Sequence, residues 1–203
     1  MKILNLYAGI GGNRKLWGND HEITAVELRL EIAAIYQDFF PNDHVVVGDA
    51  HQYLLDHYHE FDFIWSSPPC QSHSRARYSV AQSDYVLKNV HPIYPDMKLW
   101  QEIIFLSSYA KCDWVVENVI PFYKPLIQPK FTIQRHHFWS NKFILGNYFE
   151  CDRIQSSNTF KEKNYGINLK KYTFQGIEKR QVLRNCVKPE LGLYVFQQIT
   201  GEK

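Results

Sequence analysis

Apolar and polar positions alternate along the first 118 residues in a repeating two-beat pattern. KILNLYA (residues 2–8) is a short apolar run that predicts a buried strand, and it breaks into GIGGNRKLW, which predicts a helix after a glycine turn. EITAVE (22–27) predicts a second strand, LEIAAIYQDFF (30–40) carries apolar residues at helical spacing, HVVVGD (44–49) is a third strand, AHQYLLDHY (50–58) a helix and FDFIW (61–65) a fourth strand. Further on, PDMKLWQEIIFLSSYA (95–110) predicts an amphipathic helix with proline near its start, and DWVVEN (113–118) a fifth strand. Strands that alternate with helices predict a parallel sheet with right-handed crossovers, covered on both faces. The expected fold is therefore α/β, a doubly wound, mostly parallel sheet. Beyond residue 119 the rhythm changes: FTIQRHHFWSN (131–141) and KFILGNYF (142–149) read as aromatic and β-rich, about 150–180 is polar without a period, and ELGLYVFQQIT (190–200) returns to helical spacing.

Composition narrows the class. With 203 residues, 45% hydrophobic and 22% charged, the chain suits one domain over 1–203 with a single sizeable core. A formal net charge of +2 supplies no overall cationic field, so any nucleic-acid surface has to be local. Cys70, Cys112, Cys151 and Cys186 include no CxxC pair, which argues against a zinc ribbon and a disulfide framework and fits a reducing compartment. MKILNLYAGIGG begins like a signal peptide, but asparagine and glycines interrupt its apolar run and NRKLWGND offers no small-residue cleavage site. No apolar stretch reaches the roughly 18 residues that span a bilayer. The expectation is a cytoplasmic monomer with no membrane association. His51, His57 and His59 lack the helical i, i+4 spacing of a zinc-protease pair, so no metal is expected.

In open α/β sheets ligands bind beyond the carboxyl ends of the strands, and four of those ends carry unusual residues. AGIGG (8–12) lets the backbone turn tightly and approach a ligand, although a plain strand-to-helix turn explains it as well. Glu27, about 18 residues on, sits where a carboxylate accepts both ribose hydroxyls; a solvated glutamate is the simpler alternative. Asp49 can accept from an adenine amine or cap the helix that starts at Ala50. In SSPPCQ (66–71) two prolines end the fourth strand as a stiff turn and hold Cys70 at the rim, where a core cysteine would instead lie inside the apolar run. Glu117 faces the same crevice if the fourth and fifth strands are neighbours, and there it looks like a general acid.

Taken together these residues resemble the cytosine-5 DNA methyltransferases. LNLYAGIGG is similar to their S-adenosylmethionine loop, Glu27 and Asp49 to their cofactor acids, SSPPCQ to their nucleophile motif and ENV (117–119) to their glutamate motif; RHHFWSN (135–141) resembles the arginine motif in a form close to the eukaryotic de novo enzymes, and RNCVKPELGLYVFQQI (184–199) the final motif. The matches run in family order and resemble a compact phage or bacterial form more than the large members found in restriction–modification systems. Asn5 stands where the family often has aspartate, and His137 where it has a second arginine. Only about 142–183 separate the arginine and final motifs, so the target-recognition region is expected to be small.

The resemblance implies a Rossmann-like class I methyltransferase that flips a cytosine out of double-stranded DNA. Cys70 would be the nucleophile, with Glu117 and Arg135 acting on the base. S-adenosyl-L-methionine, released as S-adenosyl-L-homocysteine, would sit among Tyr7, Ala8, Gly9, Gly11, Gly12, Glu27, Leu28, Asp49, Ala50, Pro69, Asn185 and Val187. The DNA side would involve Gln71, Ser74, Arg75, Arg77, Asn118, Val119 and His137, with residues 71–95 as a long loop closing over the duplex. Lys161, Lys163, Lys170, Lys171, Lys179 and Arg180 form either a phosphate-facing patch or a solvated basic face. RNA cytosine methylation, a catalytically silent DNA-binding relative and a nicotinamide oxidoreductase are the competing readings. The oxidoreductase accounts for the glycine loop and Glu27 but not for PPCQ followed by ENV.

Overall fold

The computed structural model describes residues 1–82, 93–144, 158–174 and 176–202. Among these residues a single sheet contains β1 (Lys2–Leu6), β2 (Glu22–Glu27), β3 (His44–Val47), β4 (Phe63–Ser66), β5 (Asp113–Val119), β6 (Phe131–Ile133) and β7 (His136–Ser140), in the order β3-β2-β1-β4-β5-β7-β6. The first five strands are mutually parallel, whereas β7 runs antiparallel to both β5 and β6. The chain winds outward from β1 through β2 to β3, then returns to place β4 on the other side of β1. Carboxyl ends of β1 and β4 therefore flank the point where the winding direction switches, which is where an open α/β sheet leaves a crevice.

The helices are α1 (Leu30–Phe39), α2 (Ala50–His57), α3 (Arg75–Gln82), α4 (Lys98–Tyr109), α5 (Asn158–Tyr165), α6 (Lys179–Asn185) and α7 (Pro189–Thr200). Both sheet faces are apolar because side chains alternate along each strand. Ile3, Phe63, Trp65 and Val115 point into one layer with Leu191, Val195 and Phe196 of α7. Leu4, Leu6, Ile64 and Val116 point into the other with Leu54 of α2 and Trp100, Ile103 and Leu106 of α4. This double burial explains why the strands read as unbroken apolar runs.

Three sequence expectations need correction. The helix expected in GIGGNRKLW is only a 3-10 turn, Arg14–Leu16. The buried Arg14 guanidinium bonds both oxygens of Asp43 at 2.9 and 3.0 Å and donates to the Gly18 carbonyl at 2.7 Å, so the chain reverses where a helix would continue. Second, the presumed loop 71–95 contains α3: the Ser74 hydroxyl accepts from Ala76 N–H and the Ser74 carbonyl from Tyr78 N–H, while Tyr78 stacks on Phe122 with ring centroids 4.5 Å apart. Third, the polar segment hides α5 and α6, whose Tyr165, Val182 and Leu183 join Ile10, Ile32 and Ile35 in a third cluster. The strand expected in KFILGNYF lies mostly outside the described residues, as does much of the segment expected to read the target. No helix among the described residues is long and apolar enough to cross a membrane.

The Arg14–Asp43 pair staples the glycine loop to the turn between α1 and β3, and Tyr36 adds a third bond by donating its hydroxyl to Asp43 at 2.8 Å. Removing one member strands the other charge in the interior, a cost on the order of 3 kcal/mol. Asp43→Ala should lower the urea unfolding free energy by about that amount. A loss under about 1 kcal/mol, the level of an exposed pair, contradicts this account of the turn.

Candidate active site

Tyr7 leaves β1 in the left-handed region at φ +55°, and Gly9 and Gly11 follow at +56° and +78°. The three glycines of this loop do different things. A Cβ on Gly9 would meet nothing within 4 Å, and Gly9 borders the crevice, so it is the point at which bare backbone faces a ligand. Gly11 is turned away, against the rings of Phe40 and Tyr36, and Gly12 abuts Cys186 Sγ and the Val187 carbonyl. Glu27, at the end of β2, is fixed by the same loop: its Oε2 accepts from Gly9 N–H and its Oε1 from Arg29 N–H, each at 3.0 Å. Each oxygen retains acceptor capacity toward the crevice. Buried Asn5 accepts a 2.8 Å bond from Asn13 Nδ2 and ties the far end of the loop to β1.

The crevice is a cavity of about 430 Å3 that runs from this loop to the tips of β4 and β5. Tyr7, Gly9, Glu27 and Leu28 border one end; Pro69, Cys70, Gln71, Glu117, Val119 and His136 border the other; Asp49, Ala50, Asn185 and Val187 line the space between. Ala8 and Gly12 border a smaller adjoining pocket of about 110 Å3. The residues fit S-adenosylmethionine: a glycine-edged turn, an anchored carboxylate with acceptor capacity left for ribose hydroxyls, and apolar surface from Leu28. Asp49 does cap α2, accepting from His51 N–H at 2.8 Å, and its Oδ2 meets Lys98 Nζ at 2.9 Å. That ammonium, with the two helix N–H groups, holds the Asp49 carboxyl below its usual range.

Beneath the crevice lies Glu102 of α4, with no exposure to solvent. It accepts from Tyr7 Oη at 2.5 Å and Ser66 Oγ at 2.6 Å, and bonds His51 Nδ1 at 3.0 Å. Burial, followed by this carboxylate, drives the Tyr7 phenol far upward and keeps it a donor; the bond to Glu102 likewise raises His51. One side chain thus connects the glycine loop, the strand that leads to Cys70 and the helix that follows Asp49. Neither Glu102 nor Lys98 carried a sequence signal beyond its place in an amphipathic helix.

Cys70 sits on the turn that Pro68 and Pro69 force out of β4. The turn is held from two sides, by Asn118 Nδ2 donating to the Pro68 carbonyl at 2.9 Å and by His73 N–H donating to the Cys70 carbonyl at 3.0 Å. β4 and β5 are adjacent, so Glu117 comes up beside it. Burial, and then the Glu117 charge, push the Cys70 thiol up to about 11, while Arg135 pulls in the opposite direction. Glu117 is itself buried, and its partner is His136, whose Nδ1 contacts Oε1. The sequence resemblance set Arg135 and His137, and not His136, at the base. Instead, Gln134, at φ +54°, turns the β6–β7 hairpin so that Arg135 stays in the turn and His136 faces Glu117. His137 points to the other face, bonded to Thr132 Oγ1 at 2.8 Å.

Several residues assigned to DNA stand apart from the crevice. Ser74 starts α3, Arg75 Nε donates to the Pro121 carbonyl at 3.1 Å, and Asn118 supports the diproline turn. The Arg77 side chain lies outside the described residues, as does that of Lys161. Lys171 pairs with Asp38 and Lys179 with Glu162, which lowers the free charge of the basic segment.

The strand order, the antiparallel β7 and the glycine-loop crevice are those of a Rossmann-like, doubly wound α/β sheet. Residues 1–87 match the model of the C-5 cytosine-specific DNA methylase family. Among solved structures it is similar to a DNMT2 triple mutant from Spodoptera frugiperda, with 28% identity over 58% of this chain and 35% of that one and a TM-score of 0.39. It is also similar to a protein described as a DNA modification methyltransferase of an Escherichia coli prophage (20% identity, 61% and 33% covered, TM-score 0.39) and to an Agrobacterium tumefaciens SAM-dependent methyltransferase (13%, 61% and 40%, 0.43). The chain spans about a third of the length of the first two. No curated protein matches it.

A thiol near 11 is protonated at neutral pH, so Cys70 should react with iodoacetamide at pH 7.5 roughly 100-fold more slowly than an unperturbed cysteine. Glu117→Gln removes the negative neighbour and should accelerate alkylation of the Cys70 peptide, read by mass spectrometry. An unchanged or slower rate contradicts the electrostatic coupling of the two groups.

Proposed function

We propose that this chain transfers a methyl group from S-adenosylmethionine to carbon 5 of cytosine in double-stranded DNA. The observation that carries the reading is that Cys70 and Glu117 open into the same cavity as the Glu27-anchored glycine loop, so a base and a nucleoside cofactor can meet there. Bound cofactor supplies an electrophilic sulfonium methyl group.

Carbon 5 of cytosine is too weak a nucleophile to take that methyl unaided. The Cys70 thiolate adds to carbon 6; the sulfur–carbon bond forms, the ring double bond shifts to join carbons 4 and 5, and nitrogen 3 takes a proton from Glu117. Electron density then lies on carbon 5. After methylation, water takes the carbon 5 proton, the carbon 6–sulfur bond breaks to return the thiolate, and nitrogen 3 gives its proton back to Glu117. Cys70 is held protonated before the base arrives, and the proton it must lose leaves to solvent before the cavity closes. Arg135, whose charge favours the thiolate, assists that loss. The target carbon is stacked inside a duplex, so the base must leave the helix to reach Cys70. Glu27 would accept the ribose hydroxyls, and Tyr7, Leu28, Asp49, Ala50, Asn185 and Val187 would enclose the rest of the cofactor.

Cofactor-derived tritium should pass from S-adenosylmethionine to unmethylated bacterial DNA. Cys70→Ala should abolish this with cofactor binding intact, and Glu117→Gln should lower turnover by about 10^2 to 10^3-fold. Methylation of transfer RNA with none of DNA overturns the choice of polymer, and activity surviving in Cys70→Ala overturns the mechanism.

A further inference from the structure

We propose that Lys98 is a positioning residue for cofactor binding: it fixes Oδ2 of Asp49 as the acceptor for the exocyclic amine of the S-adenosylmethionine base. The inference rests on the reading of the cavity as a site for that cofactor.

Three observations carry it. First, the two oxygens of Asp49 are divided between different tasks. Oδ1 serves α2, accepting from His51 N–H at 2.8 Å and from Gln52 N–H at 3.4 Å. Oδ2 accepts a 2.9 Å bond from Lys98 Nζ, and its second lone pair is left for a donor in the cavity that both side chains border. Second, Lys98 does not serve its own helix. It lies in the first turn of α4, where the helix dipole disfavours a cation, and its partner comes from a segment 49 residues away. With side chains 39% and 48% exposed, the pair contributes under about 1 kcal/mol to folding, so stability does not account for it either. Third, Glu102, one turn further along the same face of α4, bonds His51 Nδ1 at 3.0 Å. Helix α4 therefore grips the start of α2 at two points, and Lys98 is the one that sets the direction of the Asp49 carboxylate.

The chemistry of the base explains why an oriented carboxylate matters. Within a nucleoside, adenine carries one hydrogen-bond donor, its exocyclic amine, and its bare ring nitrogens are acceptors that a carboxylate repels. Recognition by Asp49 therefore depends on Oδ2 facing the amine. Both oxygens of Glu27, at the neighbouring strand end, are fixed by backbone N–H groups, whereas Asp49 Oδ2 takes its direction from a side chain. Once a ligand covers the pair, the lysine–carboxylate bond leaves water and strengthens, so Lys98 holds Oδ2 most firmly when the cofactor is in place.

The test is calorimetric binding of two ligands to the full chain: S-adenosylhomocysteine and its 6-deamino analogue, in which hydrogen replaces the amine of the base. Wild type should bind S-adenosylhomocysteine about 10-fold or more tightly than the analogue, the worth of a hydrogen bond to a charged acceptor. Lys98→Met, which keeps the apolar stem, should weaken S-adenosylhomocysteine about 5- to 10-fold and change the analogue by less than about 2-fold. Lys98→Arg, which restores a donor to Oδ2, should recover most of the preference. A loss in Lys98→Met that falls equally on both ligands, as a general structural or electrostatic role produces, overturns the proposal. So does no loss, a larger loss for the analogue, or a wild type that binds the two alike. Failure of the wild type to bind S-adenosylhomocysteine at all would instead overturn the reading of the cavity, so the two failures are distinguishable.

Discussion

The Glu102 carboxylate is the constraint on which the site depends. A fully buried anion is tolerated only when its lone pairs are filled, and here the donors come from the three segments that must act together. Tyr7 reaches it from the glycine loop, Ser66 from the last residue of β4 before the diproline turn, and His51 from the helix capped by Asp49. None of these segments can shift without leaving a donor or the carboxylate unpaired. The glycine loop and the diproline turn are thereby kept in one register, although they lie far apart in the chain.

On top of that rigid floor the site is electrostatically opposed to its resting chemistry. Burial and Glu117 both disfavour the Cys70 thiolate, while a backbone hydrogen bond and Arg135 favour it more weakly. An enzyme that must avoid alkylating itself beside a methyl donor gains from a thiol that stays protonated until a base arrives. In the proposed reaction Glu117 shares a proton with nitrogen 3 of the base, which offsets the charge that opposes the thiolate at rest. Under the proposed reading, the same carboxyl that restrains the Cys70 thiolate at rest would assist it once a pyrimidine lay between them.

Most of the scaffold was legible because the strands are buried on both faces and the helices are amphipathic, so the period itself separates them. Strand ends were legible for a local reason: Gly9, Glu27, Cys70 and Glu117 each follow an apolar run that stops abruptly. What stayed hidden depends on contacts far apart in sequence. Arg14 cuts a helix short because Asp43, 29 residues away, meets it. His136 rather than its neighbours reaches Glu117 because Gln134 takes a left-handed turn that the motif RHHFWSN does not announce. Asn118 and Gly11, assigned to ligands by resemblance, serve the framework: one bonds Pro68 and the other packs on aromatic rings. Asp49 caps α2 and also lines the crevice.

The direct test of this account is where a trapped base attaches. A duplex in which every cytosine is 5-fluorocytosine carries no removable proton at carbon 5, so after methyl transfer the adduct cannot break down and recognition sequence ceases to matter. Incubated with the protein and S-adenosylmethionine, it should yield a covalent complex whose mass-mapped attachment is Cys70 Sγ. A complex on Cys112, Cys151 or Cys186, or none at saturating cofactor, contradicts the assignment of chemistry to the tip of β4.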